Sequence, residues 1–375
     1  MKRWIVVLGI VVVLAAVGVA VAAGGTAGNP LISQSYLEGT YRPRLMAQVQ
    51  EQINTSTGAV YDRVLAQAQT GQTTGQTPAG SYNDGFHDDR YKKDDRVTGV
   101  TGTGFLLLAG QAVFSYSGGT VVDVSTGAEV ASGTALLPDH RYLTAEDTRA
   151  AVIITSDTAV LSLDGYYDVT PSNATDYNAL ADALKALGIF RGSDTPYGSG
   201  YALEEQPTRI QGLVMFLRLI GEEDEALAST VPNPFRDTDP WCDRYVAYGY
   251  AMGYTKGTDD TRGIFSPSEP ITATQYLTFL LRALGYRDDG TATADFTWDL
   301  AIPAAVHFGV LTEGEQAMLE SNTFYRAQMV YVSWFGLQAR CKDSGKTALQ
   351  RLIDSGAVSA AEAERQMKTV TVARL

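Results

Sequence analysis

The sequence predicts a multi-domain chain: an N-terminal signal or anchor helix with a helical stalk, a small all-β module, and a C-terminal all-α repeat assembly. Three observations predict it. A basic start, Met1-Lys2-Arg3-Trp4, precedes an uncharged apolar run from Ile5 to Ala23. Between Val97 and Val169 apolar residues alternate with a period of two. After residue 176 a helical unit recurs, each copy unable to bury its apolar stripe alone.

The run at 5–23 ends in Ala20-Val21-Ala22, the small-residue close of an export signal, and is nearly long enough to span a bilayer. A cleaved signal peptide and an uncleaved anchor both satisfy it, and each places the bulk of the chain outside the cytoplasm. Residues 24–96 follow as stalk and linker. Ser35 to Ala68 carries a partial helical stripe (Tyr36, Leu45, Val49, Ile53, Val60, Val64, Leu65), broken near Thr55 to Gly58. Gln69 to Gly80 is low-complexity linker with no large apolar residue to offset chain entropy. Asp84 to Arg96 is a mixed-charge patch without distinctive metal-ligand spacing, read as a solvated face or linker.

The β module, 97–169, is expected to hold about seven short strands, among them Phe105 to Leu108, Thr120 to Val124 and Val160 to Leu163, with Gly118-Gly119 and Asp164-Gly165 as turns. Its polar-aromatic cluster His140-Arg141-Tyr142 fits sheet-edge packing and, less simply, a sugar contact. Asn173-Ala174-Thr175 matches a glycosylation acceptor, a tripeptide too common to carry weight.

The repeats occupy 176–366, in copies at about 176–225, 233–287 and 294–340, with a closing helical segment near Leu349 to Met367. Gly188 to Gly192 aligns with Gly253 to Gly257, and Phe216 to Gly221 with Leu280 to Gly285. Thr208-Arg209-Ile210-Gln211, Thr272-Ala273-Thr274-Gln275 and Tyr325-Arg326-Ala327-Gln328 open the later helix of each copy. Their glutamines lie 64 and then 53 residues apart.

The second copy carries Phe235-Arg236-Asp237, Trp241, the Gly253–Gly257 turn, Phe265-Ser266-Pro267 and Ile271 to Gln275 in order. In these residues the chain resembles the S-layer homology family, which occurs as triplets in exported bacterial proteins; the resemblance covers about half the chain. It implies a pseudo-threefold helical bundle whose grooves bind an anionic, often pyruvylated, secondary cell-wall polysaccharide. Carried over residue by residue, it points to Arg209 and Arg326 as carboxylate-binding guanidinium groups and to Trp241 as a groove wall. Gln211, Gln328, Gly253, Arg191 and Lys256 complete the candidate glycan site. A guanidinium suits the task because its planar fork donates to two oxygens at once, and an arginine at a helix start is disfavoured by the helix dipole. For each candidate a plain alternative stands: solvated arginines, a tryptophan packed in the core, exposed loop cations. Departures from the pattern are Ala273 in place of arginine, Gln in place of Glu in all three copies, and a first copy without the Phe-x-Asp and Trp pair.

A net charge of −13 and a pI near 4.7 exclude a nucleic-acid binder, which needs a basic stripe. Cys242 and Cys341 leave open one disulfide or two buried thiols. Three histidines and no nucleophile elbow, HExxH or phosphate loop argue against an enzyme and against any cofactor or metal. The expectation is therefore an exported cell-wall or S-layer protein held noncovalently to secondary polysaccharide or peptidoglycan, touching membrane only if its N-terminal segment stays uncleaved. Two rivals are a membrane-tethered adhesion or assembly protein with vestigial grooves, and a glycosidase, whose facing carboxylates no sequence displays.

Overall fold

The computed structural model describes residues 40, 42–47, 80–192, 200–321 and 323–375. The expected signal or anchor at 1–23, and the stalk and linker up to 79 apart from residues 40 and 42–47, lie outside the described residues. Among the described residues no helix is long and apolar enough to cross a membrane.

The expected architecture is corrected by a strongly curled antiparallel sheet of nine strands, with helices following it to the C-terminus. The strands are β1 (Ser81–Lys92), β2 (Arg96–Gly99), β3 (Gly104–Ala109), β4 (Ala112–Ser115), β5 (Val121–Asp123), β6 (Ala128–Val130), β7 (Arg141–Thr144), β8 (Ala150–Ile154) and β9 (Thr158–Thr170). They run in the order β4-β8-β2-β9-β3-β7-β5-β6, with β1 paired to β9. The long β9 is the spine, because β1, β2 and β3 all hydrogen-bond to it. Period-two alternation sends Phe105, Leu107, Phe114, Tyr142, Leu161 and Leu163 into one buried cluster.

The patch read as a solvated linker is largely strand β1. Its backbone pairs with β9 from Ser81↔Tyr167 to Lys92↔Thr158, interrupted by an irregularity between Asn83 and His87. Some of its charges are paired, while Asp84, His87, Asp89 and Lys93 stay exposed. Asp95 is buried and accepts from the Lys92 ammonium at 2.9 Å and the Ser172 amide at 2.7 Å.

Ten α-helices follow among the described residues after β9: α1 (Tyr177–Ala186), α2 (Arg209–Ile220), α3 (Glu223–Ala228), α4 (Asp243–Ala251), α5 (Ala273–Ala283), α6 (Ala301–His307), α7 (Glu313–Ser321), α8 (Arg326–Gln338), α9 (Ala348–Asp354) and α10 (Ala360–Thr369). The three glutamines explain how α2, α5 and α8 begin. Each accepts from the main-chain N–H three residues back, Gln211 from Thr208 at 3.0 Å, Gln275 from Thr272 at 3.2 Å and Gln328 from Tyr325 at 2.9 Å. A glutamine amide oxygen closes this cap as a glutamate would.

These helices are not the freestanding pseudo-threefold bundle expected. Helix α1 is shared with the sheet: the Arg90 guanidinium on β1 holds Asp182 at 3.0 Å, and the Asn178 amide donates to the Tyr91 carbonyl at 3.3 Å. Gln328 on α8 donates to Asp157, beside β9, at 2.8 Å. The third copy also differs from the others by inserting α7 between its turn and its long helix. Sheet and helices belong to one unit, Pro78–Leu375. Cys242 and Cys341 are both buried free thiols.

Candidate anion-binding cleft

A cavity of about 720 Å³ opens where the residues after α1 meet α2, α8 and the residue two places before α4. Its basic lining is Lys185, Arg191, Arg218 and Arg326; its apolar and aromatic lining includes Phe190, Tyr201, Met215, Trp241 and Met329. No carboxylate is among the described lining residues.

Arg326 is the first residue of α8 and only 3% exposed. Its Nε donates to the Tyr201 carbonyl at 3.1 Å, and its guanidinium carbon lies 5.3 Å from the centroid of the Phe190 ring. Burial against an aromatic face fixes this charge in one orientation. Trp241 is 60% exposed at the same cavity. An indole so placed gains little from the core and offers a flat apolar face. Lys185, exposed in the last turn of α1, stands 5.2 Å from the Tyr201 ring centroid.

Behind the cavity wall lies Glu223, 9% exposed. It accepts from Arg191 and Arg218, each at 2.8 Å, and from the Tyr245 hydroxyl at 3.0 Å. Burial alone would raise its pKa; the hydrogen bond and charge of Arg218, then Tyr245 and Arg191, outweigh that and hold it below the ordinary value. Glu223 therefore stays ionised, and it pairs with two of the cavity's four cations, Arg191 and Arg218.

Of the residues singled out by sequence, the structure brings Arg326, Trp241, Gln211 and Arg191 to this cavity. Arg209 lies elsewhere, against the Gly253–Gly257 turn. Its Nη2 donates to the Gly257 carbonyl at 3.1 Å and lies 3.4 Å from the Thr255 hydroxyl, with the Phe265 ring centroid 5.2 Å from its guanidinium. Burial, then the charge of Arg282, depresses its pKa. Lys256 is exposed, and Gly253 serves the turn with φ of 74°. Gln328 is fully buried and turned toward Asp157. His140 pairs with Asp123 at 2.8 Å within the sheet.

Lys185, Arg218, Phe190, Tyr201 and Glu223 escaped the sequence reading. Arg218 had a signal, since it aligns with Arg282 in the second copy, and Arg282 grips Asp288 as Arg218 grips Glu223.

No family model matches the chain. Over 115 residues it is 30% identical to a cell surface protein of Thermoanaerobacter kivui, a stretch covering 30% of this chain and 14% of that protein. The chain thus spans a small part of this curated relative's length. Among solved structures, coconut allergen cocosin aligns at 12% identity over 29% of this chain and 36% of its own, with a TM-score of 0.10. Pumpkin seed globulin aligns at 9% identity over 30% of this chain and 37% of its own, also at 0.10. Overlaps this slight carry no argument about fold.

Proposed function

We propose that the chain is a non-catalytic cell-envelope protein of the S-layer homology type, whose cleft binds the carboxylate-bearing sugars of an anionic wall polysaccharide. The observation that carries the reading is the convergence of buried Arg326, three further cations and exposed Trp241 on one cavity. A sugar ring stacks on an indole, while its carboxylate takes the planar donors of a guanidinium. The partial likeness to a cell surface protein supports the location, and the S-layer homology pattern in the second copy supports the ligand class. Because the chain carries a net charge of −13, long-range attraction to an anionic polymer is absent, and binding depends on short-range contacts inside the cleft.

The test is retention of the full chain on purified walls before and after removal of the secondary polymer. Retention on intact walls only is expected. Trp241→Ala, a change at an exposed residue, should weaken it about tenfold while leaving the thermal midpoint in place, as for other stacking contacts. Undiminished retention on stripped walls would overturn the glycan reading, and release of reducing sugar would make the protein a glycosidase.

A further inference from the structure

The cleft's cations are not equally fixed. Arg326 is buried and held by a carbonyl and an aromatic ring. Arg218 has a side chain 15% exposed, bonded to Glu223. Arg191 has a side chain 62% exposed and reaches the same carboxylate through one nitrogen. Single contacts from exposed arginines contribute little to stability and exchange readily. Glu223 also does not depend on Arg191: without it, Arg218 and the Tyr245 hydroxyl still donate to the carboxylate, so no buried charge is left bare.

Resting on the glycan reading, we propose that Glu223 is the cleft's resident counter-ion and a specificity-determining residue, from which Arg191 transfers to the carboxylate of the ligand. In the free protein Glu223 stands in for that ligand. It keeps Arg191 aimed at the cavity and offsets part of the positive charge. A ligand must therefore present its own carboxylate within reach of Arg191 to displace an internal one, which selects against neutral sugars.

Depletion isotherms of the full chain on purified walls carrying their secondary polymer decide this. Arg191→Ala should bind about tenfold more weakly with an unchanged thermal midpoint, the loss expected of one charge-assisted contact. Glu223→Gln removes the competing charge but keeps the shape and an acceptor, and should bind about threefold more tightly even if its midpoint falls. In an Arg191→Ala background the gain from Glu223→Gln should shrink, because the arm it frees is gone. Binding by Glu223→Gln that is unchanged or weaker overturns the counter-ion role and leaves Glu223 a structural residue. Should Glu223→Gln fail to fold, Arg191→Ala decides alone: unchanged binding overturns the transfer. Failure of the unaltered chain to bind intact walls overturns the glycan reading, and this inference with it.

Discussion

Glu223 shows how a single buried carboxylate ties stability to the site. Its folded-state pKa is held below 4.5 by Arg218, Tyr245 and Arg191 acting against burial. A depressed value means the contribution is complete above pH 4.5 and disappears as pH falls through the folded-state value. Urea unfolding of the full chain should give a stability nearly level from pH 7 to 5 and declining below about 4.5, with a shallower decline in Glu223→Gln. An equally steep acid limb in that variant would place the acid-labile group elsewhere. Little of this was legible in the sequence. Glu222, Glu223, Asp224 and Glu225 look like a solvated charge run, and only the fold separates them, sending Glu222 to the hydroxyls of Tyr248 and Tyr254 and Glu223 to two arginines. Arg326 was legible because its place at a helix start is visible in a repeat. Gln211 and Gln328 both cap helices, a duty that the same residue pattern announces as well as a glycan contact; Gln211 also lines the cleft, while Gln328 is turned toward Asp157.

At the level of elements, α2 and α5 depend on how their starts interlock. The Arg209 amide donates to the Glu269 carbonyl at 2.8 Å and the Ile271 amide to the Pro207 carbonyl at 2.9 Å, so each helix start is bonded to the approach of the other. Gly212 lies in this junction, where an added Cβ would stand 2.6 Å from Cδ1 of Ile271. Gly212→Ala sets two effects against each other. Alanine favours a helix by about 1 kcal/mol over glycine, while overpacking a close contact costs about 1–3 kcal/mol. Steric cost should win, lowering the thermal midpoint, and Ile271→Val in the same chain should recover part of the loss. Thr272→Ala, which removes the hydroxyl accepting from Gln275 at 3.2 Å, should cost about 1 kcal/mol by denaturant midpoint with no effect on wall binding. The helices were visible through their period, caps and glycines. Strand β1 was not, because SYNDGFHDDRYK lacks the β-branched residues that mark strands, and its backbone pairing to β9 comes from a partner some seventy residues away.

Across the whole molecule, Arg90 joins the sheet to the cleft although it lines no part of it. Arg90 on β1 grips Asp182 through both carboxylate oxygens at 3.0 Å, and its guanidinium carbon lies 4.4 Å from the Tyr201 ring centroid. The Tyr201 hydroxyl bonds to the same Asp182, and its carbonyl receives Nε of Arg326. Sheet, α1 and cleft are thus joined in series through Arg90, Asp182, Tyr201 and Arg326. The change in period near residue 170 marks a change from one apolar core to another, within a single unit whose two parts are joined by polar contacts. Residues distant in sequence supply charges that only folding brings together. If the series holds Arg326 in place, Arg90→Ala should weaken wall binding about threefold to tenfold although Arg90 is outside the cavity, the scale expected when a supporting contact is lost. Arg90→Lys should recover only part of the loss: Nη2 alone meets both oxygens of Asp182, as an ammonium nitrogen can, but an ammonium has no planar face to lie on the Tyr201 ring. Isotherms on intact walls check both variants. Wild-type affinity in Arg90→Ala would show that Tyr201 is held by its other contacts, Phe190 at 5.6 Å between ring centroids foremost among them, and that sheet and cleft are energetically independent.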